Sequence, residues 1–532
     1  MCPRGSSRIE ATTQGDSRPA RLPLLVFSLH LTVLALVSPL IAVAQQTTPA
    51  PTPPAQAPPA QTLPAPISPI TPAPTSPPAP AEPRSTAPAS IQQTLTPVLG
   101  PDGKPYVAPP LPGPSQTRIP GAFDTSIIPT GAPRFLFTPS VTLAEQWTDN
   151  FFLVDRGRTE NFRTTLGVGL ALLMNLPNTQ GSISTSLAGS YDTAPDTENF
   201  SFFPAFHATV THTFTPRLNL VVSEDFRRDD DPLFADPNGL RRNRETFVVN
   251  TLSVSLNWLV DIFRTQIYYR NLLFFSDSSD TISHIIGGNV SMPVGALNTV
   301  TGGYEFSFHD TSENTDTFSN RVYGIFSRQI GTFTNVGLSS SFSWIHGTND
   351  STLFNISVIG SHGIPGGFSV SGSVGYGLFD SSSASKPTHL FTASLNASYQ
   401  FARGFLSVGV FQDVRQTAEE GQDFGLVTTR AARGSFSYPI TPFINGSIHA
   451  DYSRNEPLES NSNIASSSIL TAGADLGWRI TNWLSATLAY LYIDRKSDHD
   501  TRIGSNPIDI NQSIFLQNST ENRVTLTITA TF

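Results

Sequence analysis

Cysteine is nearly absent from this chain. The one cysteine, Cys2, precedes the first apolar segment. A disulfide framework needs pairs and a thiolate metal site needs several sulfurs, so both are excluded. A lipid-anchored N-terminus is excluded too, since its cysteine would have to follow the apolar segment. Charge is scarce: Asp, Glu, Lys and Arg make up 14 % of the residues, against roughly 25 % in soluble domains. The net charge is −9 with no long basic run, so nucleic acid is not expected as a partner. Neither H-E-x-x-H nor G-x-S-x-G occurs. The histidines are scattered, and His449 with Asp451 stands beside no nucleophile pattern, so no enzyme, metal or cofactor is expected. Beyond residue 44 no window approaches the ~18 unbroken apolar residues of a spanning helix, and no stretch sustains helical spacing.

What is present begins with RLPLLVFSLHLTVLALVSPLIAVA at 21–44. Arginines precede an apolar run that ends in a small-x-small site, Ala42-Val43-Ala44. Residues 1–44 are expected to be a secretory signal peptide, with a transmembrane anchor as the alternative. Residues 45–120 are dominated by Pro, Ala, Thr and Gln. Such a stretch buries no core, so 45–133 is expected to be a disordered periplasmic linker. A periplasmic or cell-wall partner for it is the sharper reading; an inert spacer is the plainer one.

From residue 134 to 532 the texture is uniform. Segments of about a dozen residues alternate apolar and polar, as in FTASLNASYQF, where Phe391, Ala393, Leu395, Ala397, Tyr399 and Phe401 share one face. Soluble strands run about five or six residues, whereas membrane-spanning strands need ~9–11. Connections alternate between tight links (LPNTQG, FTPR, MPVGAL, FARG) and polar loops (RRDDDPLFADPNGLRRN, HDTSENTDT, DRKSDHDTRIGSNPIDINQ). That alternation is expected of short periplasmic turns and longer external loops. The fold expected is all-β: a transmembrane antiparallel up-and-down barrel of about 20 strands. Eighteen is the alternative count, the weakest segments lying near 281–310 and 424–454. Oil faces lipid and hydroxyls face the lumen.

The closing stretch ENRVTLTITATF fits this scheme. Val524, Leu526, Ile528 and Phe532 form an oily face expected to be read by the barrel-assembly machinery, and Arg523 stands on the hydroxyl face. Aromatic girdles are expected at both interfaces. Phe214, Trp258, Phe333, Phe401, Phe405, Tyr438, Phe443, Trp478 and Trp483 lie near the tight links. Trp147, Phe274, Phe275, Trp344, Tyr452 and Tyr492 lie near the long loops. Parity directs Arg264, Arg270, Glu305, His309, Arg321, Asp413, Arg415, Arg433, His449, Asp451, Asp475 and Arg479 inward, as pore-lining candidates or as pairs that fill the lumen. The loop acids Asp229, Asp230, Asp231 and Asp236 do not match an EF-hand loop. They are expected on a solvated surface loop, paired with its own Arg227, Arg228, Arg241, Arg242 and Arg244. The 230–243 and 496–514 loops are the candidates for a plug.

LFTPSVTLAEQWTDNFFLVDRGRTENFRTTLGVGLAL resembles the opening of the outer-membrane β-barrel porins found with bacterial exopolysaccharide operons. Trp147, Thr148, Asp149, Asn150 and Phe151 occupy that family's aromatic-T-D-N-hydrophobic turn, and the last strand is similar as well. The resemblance spans roughly 134–532 and implies a channel in the outer membrane of a Gram-negative-type bacterium, with a hydrophilic solute or exported polysaccharide as cargo. A plugged structural or adhesive barrel, binding partners through its loops or Pro-rich arm, is the alternative. An autotransporter with 45–133 as passenger is weaker, because that segment has no foldable content.

Overall fold

The structure is a computed structural model. It describes residues 134–532 except 196, 198, 236–243, 278–279, 313–315, 348–349, 365–366, 383–385, 417–425, 459–465 and 498–517, together with a short pairing of Val98–Leu99 with Pro105–Tyr106. The segment expected to be a signal peptide and almost all of the expected linker lie outside the described residues.

Twenty strands form one closed antiparallel barrel. They are β1 (Phe135–Thr148), β2 (Asn161–Leu176), β3 (Thr179–Asp192), β4 (Phe200–Thr215) and β5 (Leu218–Asp229). A single helical turn, α1 (Pro232–Ala235), follows β5. Next come β6 (Phe247–Val260), β7 (Phe263–Ser276), β8 (Asp280–Val294), β9 (Asn298–Thr311), β10 (Thr317–Gly331), β11 (Thr334–His346) and β12 (Ser351–Ile364). The circuit is completed by β13 (Phe368–Ser381), β14 (Thr388–Phe401), β15 (Gly404–Gln416) and β16 (Leu426–Thr441), then β17 (Ile444–Pro457), β18 (Ser467–Arg479), β19 (Leu484–Ser497) and β20 (Ser519–Thr531). Each strand pairs with its sequence neighbours, and β20 closes on β1 with Val524 opposite Trp147 and Thr531 opposite Ser140. Closure removes every strand edge, which a hydrocarbon solvent requires because it offers no hydrogen bonds to a free backbone.

The expected twenty strands are present, including those across 281–310 and 424–454. Their lengths, from 12 residues in β5 to 16 in β2, suffice for a tilted strand to span the hydrocarbon. The faces divide as alternation requires. On β20, Glu521, Arg523, Thr525, Thr527 and Thr529 are buried on the inside, while Leu526 and Ile528 are exposed outside. On β2, Phe162, Leu166, Val168 and Leu170 are exposed outward.

Exposed Phe214, Trp258, Phe333, Tyr438, Phe443, Trp478 and Trp483 ring the short-turn end, and Trp344 and Tyr452 stand at the other. Two of the expected girdle residues point the other way. Phe274 is 1 % exposed and stacks on Phe247 inside the barrel, at a centroid distance of 5.7 Å. Phe405 sits opposite Gln400, on the inward parity. Both neighbour residues of either polarity, and in such runs the side facing lipid is set by register.

Candidate functional site: the clamped mouth and the lumen wall

The Trp147-Thr148-Asp149-Asn150-Phe151 turn fastens the barrel seam at the long-loop end. Asp149 accepts two hydrogen bonds from Asn522, from the backbone N and from Nδ2, each at 2.7 Å. Asn150 is fully buried; its Nδ2 donates to the Val154 and Thr520 carbonyls at 2.7 and 2.8 Å, and its Oδ1 accepts from Val154 N at 3.1 Å. Leu153 takes a left-handed φ of 58° to close this turn. Phe151 is thereby turned inward, where the guanidiniums of Arg244 and Arg163 lie 4.7 and 5.7 Å from its ring centroid.

The loop between β5 and β6 folds into the mouth. Its Asp-Asp-Asp-Pro-Leu-Phe run is a capped turn. Asp229 Oδ1 accepts from Asp230 N and Asp231 N at 2.7 and 3.0 Å, Asp231 Oδ1 accepts from Leu233 N at 3.1 Å, and Pro232 opens α1. The turn is seated on two apolar patches of the inner wall. Leu233 packs with Ile469, Leu491 and Ile493, and Phe234 packs against Phe247, Val249, Leu272 and Phe274. Arg227 Nη2 donates to the Phe234 carbonyl at 2.8 Å.

Ion pairs then hold the loop to the far wall. Arg163 on β2 donates to both Asp230 oxygens, at 2.8 and 2.6 Å, and to Asp192 on β3 at 2.8 and 2.9 Å. Arg523 on β20 pairs with Asp231 and donates to Glu521 at 3.0 Å. Arg244 bridges Asp230 at 3.6 Å and Glu521 at 3.5 Å. Arg495 is 1 % exposed, 3.9 Å from Glu521, with none of its guanidinium nitrogens hydrogen-bonded among the described residues. Burial alone would raise the two loop carboxyls. Arg163 and Arg244 around Asp230, and Arg523 and Arg244 around Asp231, reverse this and hold both below the usual carboxylate range. Four arginines meet four carboxylates, so these eight groups carry no net charge. Such a balanced cluster acts as a clamp; selection by charge would need an excess of one sign.

This corrects the expectation of a solvated loop paired with itself. Asp230 and Asp231 are buried, and their partners come from β2 and β20 as well as from Arg244 of the same loop. Asp236, Arg241 and Arg242 lie outside the described residues, as does most of the 496–514 loop. Arg163, Asp192, Glu521 and Arg523 are site residues that no sequence motif marks. Their common signal is parity: each sits on the hydroxyl face within a few residues of a long loop.

The pore-lining candidates lie outside this clamp, and those whose side chains are described fall on the inward face in separate groups. Glu305 opposes Arg321 across β9 and β10, with Arg270 nearby on β7. Arg433 lies 3.5 Å from Asp451, with its guanidinium 5.3 Å from the Phe411 ring centroid. His449 Nδ1 is 3.8 Å from Asp475, which accepts from Ser447 at 3.0 Å. His309 is buried between Ser283 and Ser307, at 2.8 and 3.1 Å. Asp413 lies on the same inward face of β15 as Phe411, and only the backbone of Arg415 is described. Arg264 and Arg479 are exposed at the short-turn rim, where Arg479 Nη2 donates to the Pro442 carbonyl at 3.1 Å. Among the described residues no three His, Cys, Asp or Glu are grouped to hold a metal ion.

No family model matches the chain, and no curated protein matches it. Solved structures similar to it include the siderophore receptor PirA from Pseudomonas aeruginosa, at 12 % identity and a TM-score of 0.39, covering 74 % of this chain and 80 % of that one. The outer membrane protein OpdK from Pseudomonas aeruginosa aligns at 9 % identity and a TM-score of 0.36, covering 75 % and 98 %. OccAB4 of Acinetobacter baumannii aligns at 10 % identity and a TM-score of 0.34, covering 74 % and 98 %. The barrel's own surface places it in the outer membrane of a Gram-negative bacterium. An apolar, aromatic-girdled exterior on a closed barrel matches a bilayer and no aqueous compartment.

Proposed function

We propose that this chain is a passive, non-catalytic outer-membrane channel for hydrophilic solutes, with an exported polysaccharide strand as its cargo class. One observation carries the reading: a twenty-stranded barrel lined with hydroxyls, amides and charges. Barrels of 16–18 strands already leave an aqueous channel, so wall side chains alone do not fill this lumen. The clamped loop narrows its mouth. Val524, Leu526, Ile528 and Phe532 supply the oily face that barrel-assembly machinery would read, and the apolar 21–44 segment supplies the export signal.

The docked α1 turn favours a second reading, a plugged barrel that binds partners at its external loops. Swelling of liposomes carrying the full-length protein separates the two. A channel admits sugars at rates that fall with sugar size. A plugged barrel gives the rate of empty liposomes.

A further inference from the structure

Near the middle of the lumen wall, β7 to β10 carry two adjacent rows of paired residues. One runs Tyr268, Gly287, Glu305, Arg321; the next runs Gln266, Asn289, Gly303, Tyr323. Each row holds a tyrosine on an outer strand leaning over a glycine on the strand beside it. A Cβ added to Gly287 would collide with the Tyr268 ring, and one added to Gly303 would collide with the Tyr323 ring. The glycines are therefore what allow both rings to lie down on the sheet. From opposite sides, the two rings converge on the β8–β9 pair.

The Tyr268 hydroxyl is tied in place. Tyr268 Oη donates to the buried Glu305 at 2.6 Å. Asn289 lies in the row of Tyr323, across Gly303, and its Nδ2 donates to Gln266 Oε1 at 3.1 Å. The Arg321 guanidinium lies 5.8 Å from the Tyr323 ring centroid. Both tyrosines are half-buried, and over the Tyr323 ring the exposed side is shared with the Arg321 guanidinium. The amide row continues to Asn257 on β6, which donates to Asn219 on β5 at 2.9 Å.

An upright tyrosine would fill lumen space; a ring lying flat offers its face to whatever passes. A pyranose ring has apolar C–H faces and a rim of hydroxyls. The first suits an aromatic floor, and the second suits amides, a carboxylate and a guanidinium around it. A hydrocarbon solute would make no use of the polar rim, and a bare ion would make no use of the ring faces. We propose that this four-strand floor is a binding subsite for a pyranose unit of an oligo- or polysaccharide. It rests on the channel reading for solute access, but binding is measurable without conduction.

The test is calorimetric titration of the detergent-solubilised full-length protein with maltohexaose, cellohexaose and a hexagalacturonate. Saturable heat is expected from at least one of them. Tyr268→Ala with Tyr323→Ala should weaken that binding by about tenfold or more, while the Tyr→Phe pair, which keeps the rings, should stay within about threefold. Folding of each variant is checked by heat-modifiable migration in detergent gels, and a Tyr→Leu pair, which fills the space without an aromatic face, carries the comparison if the Ala pair does not fold. Binding that survives ring removal, no binding of any of the three sugars to folded wild-type protein, or loss of binding in the Phe pair would each overturn the subsite. Sugar binding by a barrel that conducts nothing would overturn the channel reading and leave the subsite standing.

Discussion

Arg523, on the last strand, grips Asp231, 292 residues earlier on the loop after β5. The contact crosses the long-loop mouth and joins the barrel wall to the segment that narrows it. Removing one member of a buried ion pair strands the other, which costs about 3–5 kcal/mol. Arg523→Ala should therefore undock the loop, raise single-channel conductance and broaden open-channel noise. Conductance unchanged from wild type would show that the apolar seat alone holds the loop.

The apolar seat has its own prediction. Leu233 is buried against Ile469, Leu491 and Ile493. Leu233→Ala would empty that seat of its central side chain, at a cost of about 2–5 kcal/mol. Limited proteolysis should then cut within residues 230–235 in the variant and spare that segment in the wild type, with the barrel strands equally resistant in both.

Acid should open the mouth only late. Asp230 and Asp231 are held below the ordinary carboxylate range by arginines. A carboxyl whose folded pKa is depressed contributes docking stability that is complete above its free value of about 3.9 and is lost only as pH falls through the folded value. Conductance of the wild-type channel should thus stay level from neutral pH down to about pH 4 and rise only below it. A rise centred between pH 5 and 6 would contradict the assigned ion pairs.

Orientation of the wall is tested on one strand. Leu526 faces out and Thr527 faces in. An arginine on the lipid face at depth costs about 2–4 kcal/mol, whereas lumen positions tolerate charge. Leu526→Arg should lower the unfolding midpoint in a denaturant titration of the lipid-reconstituted barrel. Thr527→Arg should leave it near wild type and shift ion selectivity toward anions.

Much of this barrel is legible in the sequence because alternation with period two is a local signal that repeats along each strand. Leu526 and Thr527 can be assigned to opposite faces from ENRVTLTITATF alone, and the strand count follows from the rhythm of short and long connections. The loop clamp is not legible in that way. Asp231 finds Arg523 only after the barrel closes, and nothing near either residue names the other. An acidic, proline-containing loop between two runs of arginine reads as self-neutralising, which is how solvated loops usually behave. Phe274 shows the same limit at smaller scale. In Asn-Leu-Leu-Phe-Phe-Ser either face is apolar, and only pairing with Phe247 and contact with Phe234 decide which aromatic turns inward. The tyrosine floor was half visible. Tyr323 and Glu305 fall on the inward parity, but the role of Gly287 and Gly303 depends on which strand lies alongside.

Single-channel recording of the full-length protein in a planar bilayer separates an open lumen from a plugged one. Steady nanosiemens-scale steps are expected, larger in Arg523→Ala than in the wild type. Silence from a barrel shown to be folded, in both the wild type and that variant, would contradict an aqueous lumen and leave the plugged, partner-binding barrel in its place.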